Sequence, residues 1–144
     1  MARTRTDTSS RFALPPSFLI SNIIIWISAV IVMGIVSYFI SEGGYVSNHI
    51  IYEEVISVLT VAFFLVSFIL GTYPGYILLF NIIFSYLWLV AVVFAAEDWS
   101  SDYASSLDHT VEAFSFIAFF FLLFNVVFDW HVGYRGHART TSAV

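Results

Sequence analysis

The chain has no cysteine, no lysine and only three prolines, and just 15 of its 144 residues are charged at neutral pH. Without cysteine there are no disulfide frameworks, thiolate metal sites, thiol nucleophiles, S-palmitoylation or prenylation. The scarcity of charge decides more. A soluble domain carries about 25% charged residues, against 10% here. That excludes an ordinary soluble enzyme, a disordered chain and a nucleic-acid binder with a basic face. There is no His-Glu-x-x-His or repeated His-x-His pattern, and no glycosylation sequon at Asn22, Asn48, Asn81 or Asn125. In place of charge the chain carries 60% hydrophobic residues and an aromatic set of 16 Phe, 8 Tyr and 4 Trp. So small a globule could not bury them. The composition is that of an integral membrane protein.

A bilayer core about 30 Å thick needs about 20 helical residues to cross it. Residues 18–40 are free of Asp, Glu and Arg and make a first span. Residues 55–96 are likewise uncharged, and as one helix they would reach about 63 Å, twice what the bilayer holds. Gly71-Thr72-Tyr73-Pro74-Gly75 marks the reversal, because proline lacks an N–H and biases the residue before it away from helix. Spans two and three are therefore 55–72 and 76–96. The last apolar run, 113–128, is short, so the fourth span extends to about 110–130, with Trp130 and Tyr134 as interfacial anchors. The predicted fold is an all-α membrane protein, a four-helix transmembrane bundle over 18–132 with tails 1–17 and 133–144. The tails are rich in Ser, Thr, Arg and Gly, and their outer parts, 1–11 and 136–144, read as disordered.

All five arginines, Arg3, Arg5, Arg11, Arg135 and Arg139, lie in these tails. The positive-inside rule then puts both termini in the cytoplasm, which an even number of crossings allows. Loops 41–54 and 97–112 face the lumen or exterior and hold Glu42, Glu53, Glu54, Glu97, Asp98, Asp102, Asp108 and Glu112. The expected location is a multi-pass protein of the plasma membrane or an endomembrane.

Inside a membrane, small and polar side chains set helix packing. Ser67/Gly71 and Ala91/Ala95 have the small-x-x-x-small spacing, and Ser21, Ser28, Gly34 and Ser37 make span one slim. Asn22, Asn81 and Asn125 fall at similar depth on three spans, which allows either one hydrogen-bonded polar layer or three separate amides. In the third loop His109 and Glu112 share a helix face beside Asp108, an arrangement that offers an ion His and carboxylate ligands but usually marks a solvated surface. No catalytic residue, cofactor or metal site is assigned, and no enzyme activity is expected. The central runs contain no Asp, Glu, Arg or His, which weighs against ion or proton transport. Phe114, Phe116, Phe119, Phe120, Phe121, Phe124 and Phe128 set rings around the circumference of span four, for packing or for lipid contact.

The segments Asn81-Ile82-Ile83-Phe84-Ser85-Tyr86-Leu87-Trp88-Leu89-Val90-Ala91 and Glu112-Ala113-Phe114-Ser115-Phe116-Ile117-Ala118-Phe119-Phe120-Phe121, set in this four-span plan, resemble the MARVEL-domain family, particularly its small fungal members. Claudin-like and tetraspanin-like plans fit less well, since both expect cysteines in an outer loop. The resemblance implies a non-enzymatic role in organising membrane microdomains, membrane apposition or vesicle traffic. Its implied partners are membrane lipids, further copies of the chain or another membrane protein, and no nucleic acid. The alternatives are a small accessory subunit of a larger membrane complex, and a channel or transporter for a small neutral solute lined by Ser and Asn.

Overall fold

The computed structural model describes residues 16–43, 46–70, 77–99 and 104–141. They form α1 (Pro16–Ser41), α2 (Asn48–Leu70), α3 (Ile77–Trp99) and α4 (Ser106–Thr141). Each contains a stretch long and apolar enough to cross a membrane. Local chemistry sets several of the ends. Pro16 opens α1, where its fixed φ suits a first turn and its missing N–H breaks no bond. Just past the end of α1, Gly43 takes a φ of +71°, a left-handed conformation that costs a residue with a Cβ about 1 kcal/mol. Ser47 starts α2 by accepting the Ile50 N–H on its Oγ at 3.3 Å. Ser105 and Asp108 cap α4 reciprocally, Asp108 Oδ2 taking the Ser105 N–H at 2.6 Å and Ser105 Oγ the Asp108 N–H at 3.4 Å.

The helices form a square, in which α1 packs on α2 and α4, and α3 packs on α4 and more loosely on α2. Cross-links between early and late residues fix the directions. Asn22, early in α1, bonds Asn125, late in α4. Ser37, late in α1, bonds Glu54, early in α2. His49, early in α2, bonds Asp98, late in α3. Successive helices therefore run antiparallel, and the start of α1 lies beside the second half of α4, several turns before that helix ends. This tail end is opposite an acidic end, where α1 and α3 finish and α2 and α4 begin.

The bundle differs from a soluble protein in its surface, which is as apolar as its core. Its buried polar side chains are Ser21, Asn22, Ser28, Glu53, Ser57, Thr60, Asn81, Ser115 and Asn125, among an apolar core around Ile25, Val32, Trp88 and Leu122. Large apolar residues such as Ile20, Phe63, Ile69, Tyr86, Phe120 and Val127 point outward. An outward apolar shell on every helix matches hydrocarbon, and polar groups turn inward because lipid offers them no partner. The fold is an all-α transmembrane bundle.

Several helix ends differ from those expected. α2 begins at Asn48, so Glu53 and Glu54, assigned above to a loop, are helical. α3 runs through Glu97 and Asp98 to Trp99, and α4 starts at Ser106, so the third connection is far shorter than 97–112. Charge marks where a span leaves hydrocarbon, whereas caps mark where the helix stops, and the two need not coincide. α4 also continues to Thr141, so much of the segment read as a disordered tail is helical. The sequence has no proline after Pro74 to end that helix, and isolated glycines such as Gly133 and Gly136 cost only about 1 kcal/mol each. The expected reversal at Gly71–Gly75 lies outside the described residues, between the end of α2 and the start of α3.

Candidate functional site

The polar chemistry lies in the bundle interior, in three tiers. At the tail end Asn125 Nδ2 donates to Asn22 Oδ1 at 2.9 Å, joining α4 to α1. Asn81 Nδ2 instead donates to Asp129 Oδ2 at 3.2 Å, joining α3 to the next turn of α4. The three amides are thus divided between two bridges and do not close into the single layer that was one of the two expectations. Asp129 is the member the sequence did not nominate, because it sat at the estimated edge of the span. Nearby, Ser21 Oγ donates to the Phe121 carbonyl at 3.5 Å.

In the middle tier Trp88 Nε1 donates to Thr60 Oγ1 at 3.0 Å, and the Thr60 hydroxyl donates to the Ile56 carbonyl at 2.8 Å. Both side chains are fully buried, so this pair ties α2 to α3 across an apolar centre. Beside it, Tyr52, eight residues before Thr60 on α2, donates its OH to the carbonyl of Leu87, the neighbour of Trp88, at 3.1 Å. The only signals for these contacts were the residue types themselves, a tryptophan, a threonine and a tyrosine in apolar surroundings.

The acidic end is arranged differently. His49 stacks on Phe94 with ring centroids 4.1 Å apart, and its Nδ1 lies 3.0 Å from Asp98 Oδ1. Ser37 Oγ donates to Glu54 Oε1 at 2.6 Å. Beside them Glu53 is 2% exposed, and neither of its carboxyl oxygens has a hydrogen-bond partner among the described residues. Ser115 Oγ on α4 is buried and likewise unpartnered. Leaving a buried polar group unpaired costs about 1–3 kcal/mol, and more for a charged one. Glu53 lies inside the candidate span Asn48–Ile69, just ahead of the uncharged run 55–72 expected for span two.

The remaining predicted positions divide as follows. Ala91 and Ala95 are fully buried and let neighbouring helices approach α3. Ser67 is only half-buried, and Gly71 lies outside the described residues. Gly34 faces outward, and a Cβ there would meet nothing within 4 Å, so it is not a packing glycine. His109 Nδ1 sits 3.6 Å from Glu112 Oε2, while Asp108 is engaged in the α4 cap. Among the described residues no group of three or more His, Cys, Asp or Glu is placed to hold a metal ion. None of the seven phenylalanines of α4 belongs to the fully buried core. Phe116 stacks on Phe120 and Phe124 on Phe128, at 6.3 and 6.1 Å.

No family model matches the chain, and no curated protein or solved structure matches it either. The class is set by the fold itself, a multi-pass integral membrane protein.

Proposed function

We propose that this is a non-enzymatic organiser of membranes, acting in lipid microdomains, membrane apposition or vesicle traffic, in keeping with its resemblance to MARVEL-domain proteins. Both termini are cytoplasmic in this reading, because Arg3, Arg5, Arg11, Arg135 and Arg139 all belong to the tails and none to the turns. The observation that carries the proposal is the outer surface of α4. Its stacked Phe116–Phe120 and Phe124–Phe128 pairs lie outside the core and continue into exposed Trp130. Rings on a lateral face offer broad, rigid contact to acyl chains or to another helix at low entropic cost. The buried core is built from other residues, among them Ile25, Phe64, Phe84, Trp88 and Leu122, so the bundle does not need those rings for its own packing.

The cysteine-free chain makes the test direct. Single cysteines are placed at Phe116, Phe120 and Phe124 and, as a comparison, at the inward Leu122, then oxidised in native membranes. Crosslinked homodimers at the three outward positions and none at Leu122 support lateral self-association. One stoichiometric adduct with a different protein would replace the proposal with the accessory-subunit reading. Saturable uptake of a neutral solute into reconstituted vesicles, lost on substituting Asn81 or Asn125, would replace it with a channel or transporter.

A further inference from the structure

Charge is spread very unevenly over the two ends of the bundle. The segments at the acidic end carry eight Asp and Glu and no arginine, whereas those at the tail end carry all five arginines and two acids, Asp7 and Asp129. Asp129 is already engaged by Asn81. The segment joining α2 to α3, at the same end, adds no charge. The course of α4 decides where part of the positive charge sits. Its last apolar run ends at Phe128, and the helix continues through His131, Arg135 and Arg139 to Thr141. Spaced four apart, these three residues fall on one face of the helix, about 5, 10 and 16 Å beyond Phe128. No Asp or Glu follows residue 129, so the row has no acid three or four residues away to pair with.

The packing of α1 on α4 brings the other tail to the same corner. Asn22 pairs with Asn125, and six residues back along α1 is Pro16, while six residues on along α4 is His131. The two helices are antiparallel, so α1 begins at about the level of His131. Arg11 lies five residues before Pro16, and chain length keeps it within about 17 Å of that point. Trp130, one residue before the row, is 68% exposed. A tryptophan there marks the headgroup level. The headgroup layer is roughly 5–8 Å deep on each side of the hydrocarbon, so His131 falls within it and the arginines follow at its outer edge.

We infer that the corner between the start of α1 and the projecting end of α4 is a docking surface for anionic phospholipids, whose phosphates are taken by Arg135 and Arg139 with Arg11 beside them. The inference rests on the membrane-organising reading and names the lipids that the bundle gathers. The chain has no lysine, and the forked guanidinium of arginine takes a phosphate bidentately where lysine offers a point charge. The occupant follows from position as well as charge. The row meets the bilayer surface itself, where acidic headgroups are the most concentrated anions, and one arginine near such a surface gains about fivefold in association. An acidic peptide would match the charge too, but it must come from solution to a surface that anionic lipid already lines.

Trp130 serves as the reporter in the test. The full chain is reconstituted in phosphatidylcholine vesicles holding a minor share of phosphatidylserine, with bromine on the acyl chains either of the serine lipid or of an equal amount of the choline lipid. Subtracting the quenching seen in Trp130→Phe isolates the reporter. Both leaflets carry the label, so the result does not depend on which way the tails face. The expected result is stronger quenching of Trp130 by the brominated serine lipid, a preference that fades as salt is raised. In the double variant Arg135→Gln/Arg139→Gln the preference falls at least fivefold. Circular dichroism checks folding, and if the double variant fails to fold, the salt dependence of the parent decides. Equal quenching by the two lipids overturns the inference, as does a preference that salt or the double variant leaves intact. Equal quenching together with capture of a polyglutamate peptide assigns the corner to an acidic protein instead. Crosslinking at Phe116, Phe120 and Phe124 is read separately, so loss of the lipid preference with those crosslinks intact sinks this inference alone.

Discussion

The two ends of this bundle handle buried polarity in opposite ways. At the tail end Asn22 is paired with Asn125, and Asn81 with Asp129, so each of the four helices except α2 is bridged to a neighbour. At the acidic end one carboxyl, Glu53, is as deeply buried as those amides and bonded to nothing among the described residues. The tail end has the form of a fastener. The acidic end instead leaves an acid buried without a bonding partner among the described residues, at a cost to stability. The difference is also one of sequence: an amide can both donate and accept, so one bond joins Asn125 to Asn22 although Asn125 Oδ1 stays buried without a partner among the described residues, whereas a carboxylate only accepts and needs a donor.

The sharpest way to break this contrast is Glu53→Leu. If Glu53 is a cost to the fold, the leucine variant is more stable than the parent by about 1–3 kcal/mol, read by thermal or denaturant unfolding in detergent. A loss of stability would make Glu53 a structural group like the amides. Asn125→Leu should move the other way, lowering stability by about 1 kcal/mol in the same assay, because Asn22 loses its partner. An unchanged melt would show that the tail end is not a fastener. The smallest effect concerns how that end is divided. Asn81→Leu and Asn125→Leu should add within about 0.5 kcal/mol, since they break separate bridges, whereas Asn22→Leu and Asn125→Leu combined should cost less than their sum. Strong coupling between Asn81 and Asn125 would restore a single layer.

How far the sequence could be read follows from the same physics. Three apolar runs, one of them broken at Gly71–Gly75, were enough for the four helices, because helix length in a membrane is set by bilayer thickness. Asn22, Asn81 and Asn125 stood out as amides in hydrocarbon, and all three are buried. Their partners were not legible, since pairing depends on the register between helices, which periodicity does not supply. Glu53 was missed for a different reason. Taking each acid as the edge of a span assumes that charge and helix end together, yet Ser47 caps α2 a turn and a half before Glu53. The Ser105-x-x-Asp108 box was a visible signal for the start of α4. Trp88 and Thr60 gave no signal beyond their residue types.

The uninterrupted course of α4 has a mechanical consequence. Its last apolar run ends at Phe128, but the helix goes on to Thr141, about 20 Å further. The same rod that is clamped to α1 and α3 inside the lipid therefore projects beyond it without an intervening joint. Any tilt or rotation of the clamped part is passed on as a swing of the projecting arm, so whatever grips the arm senses the posture of the bundle.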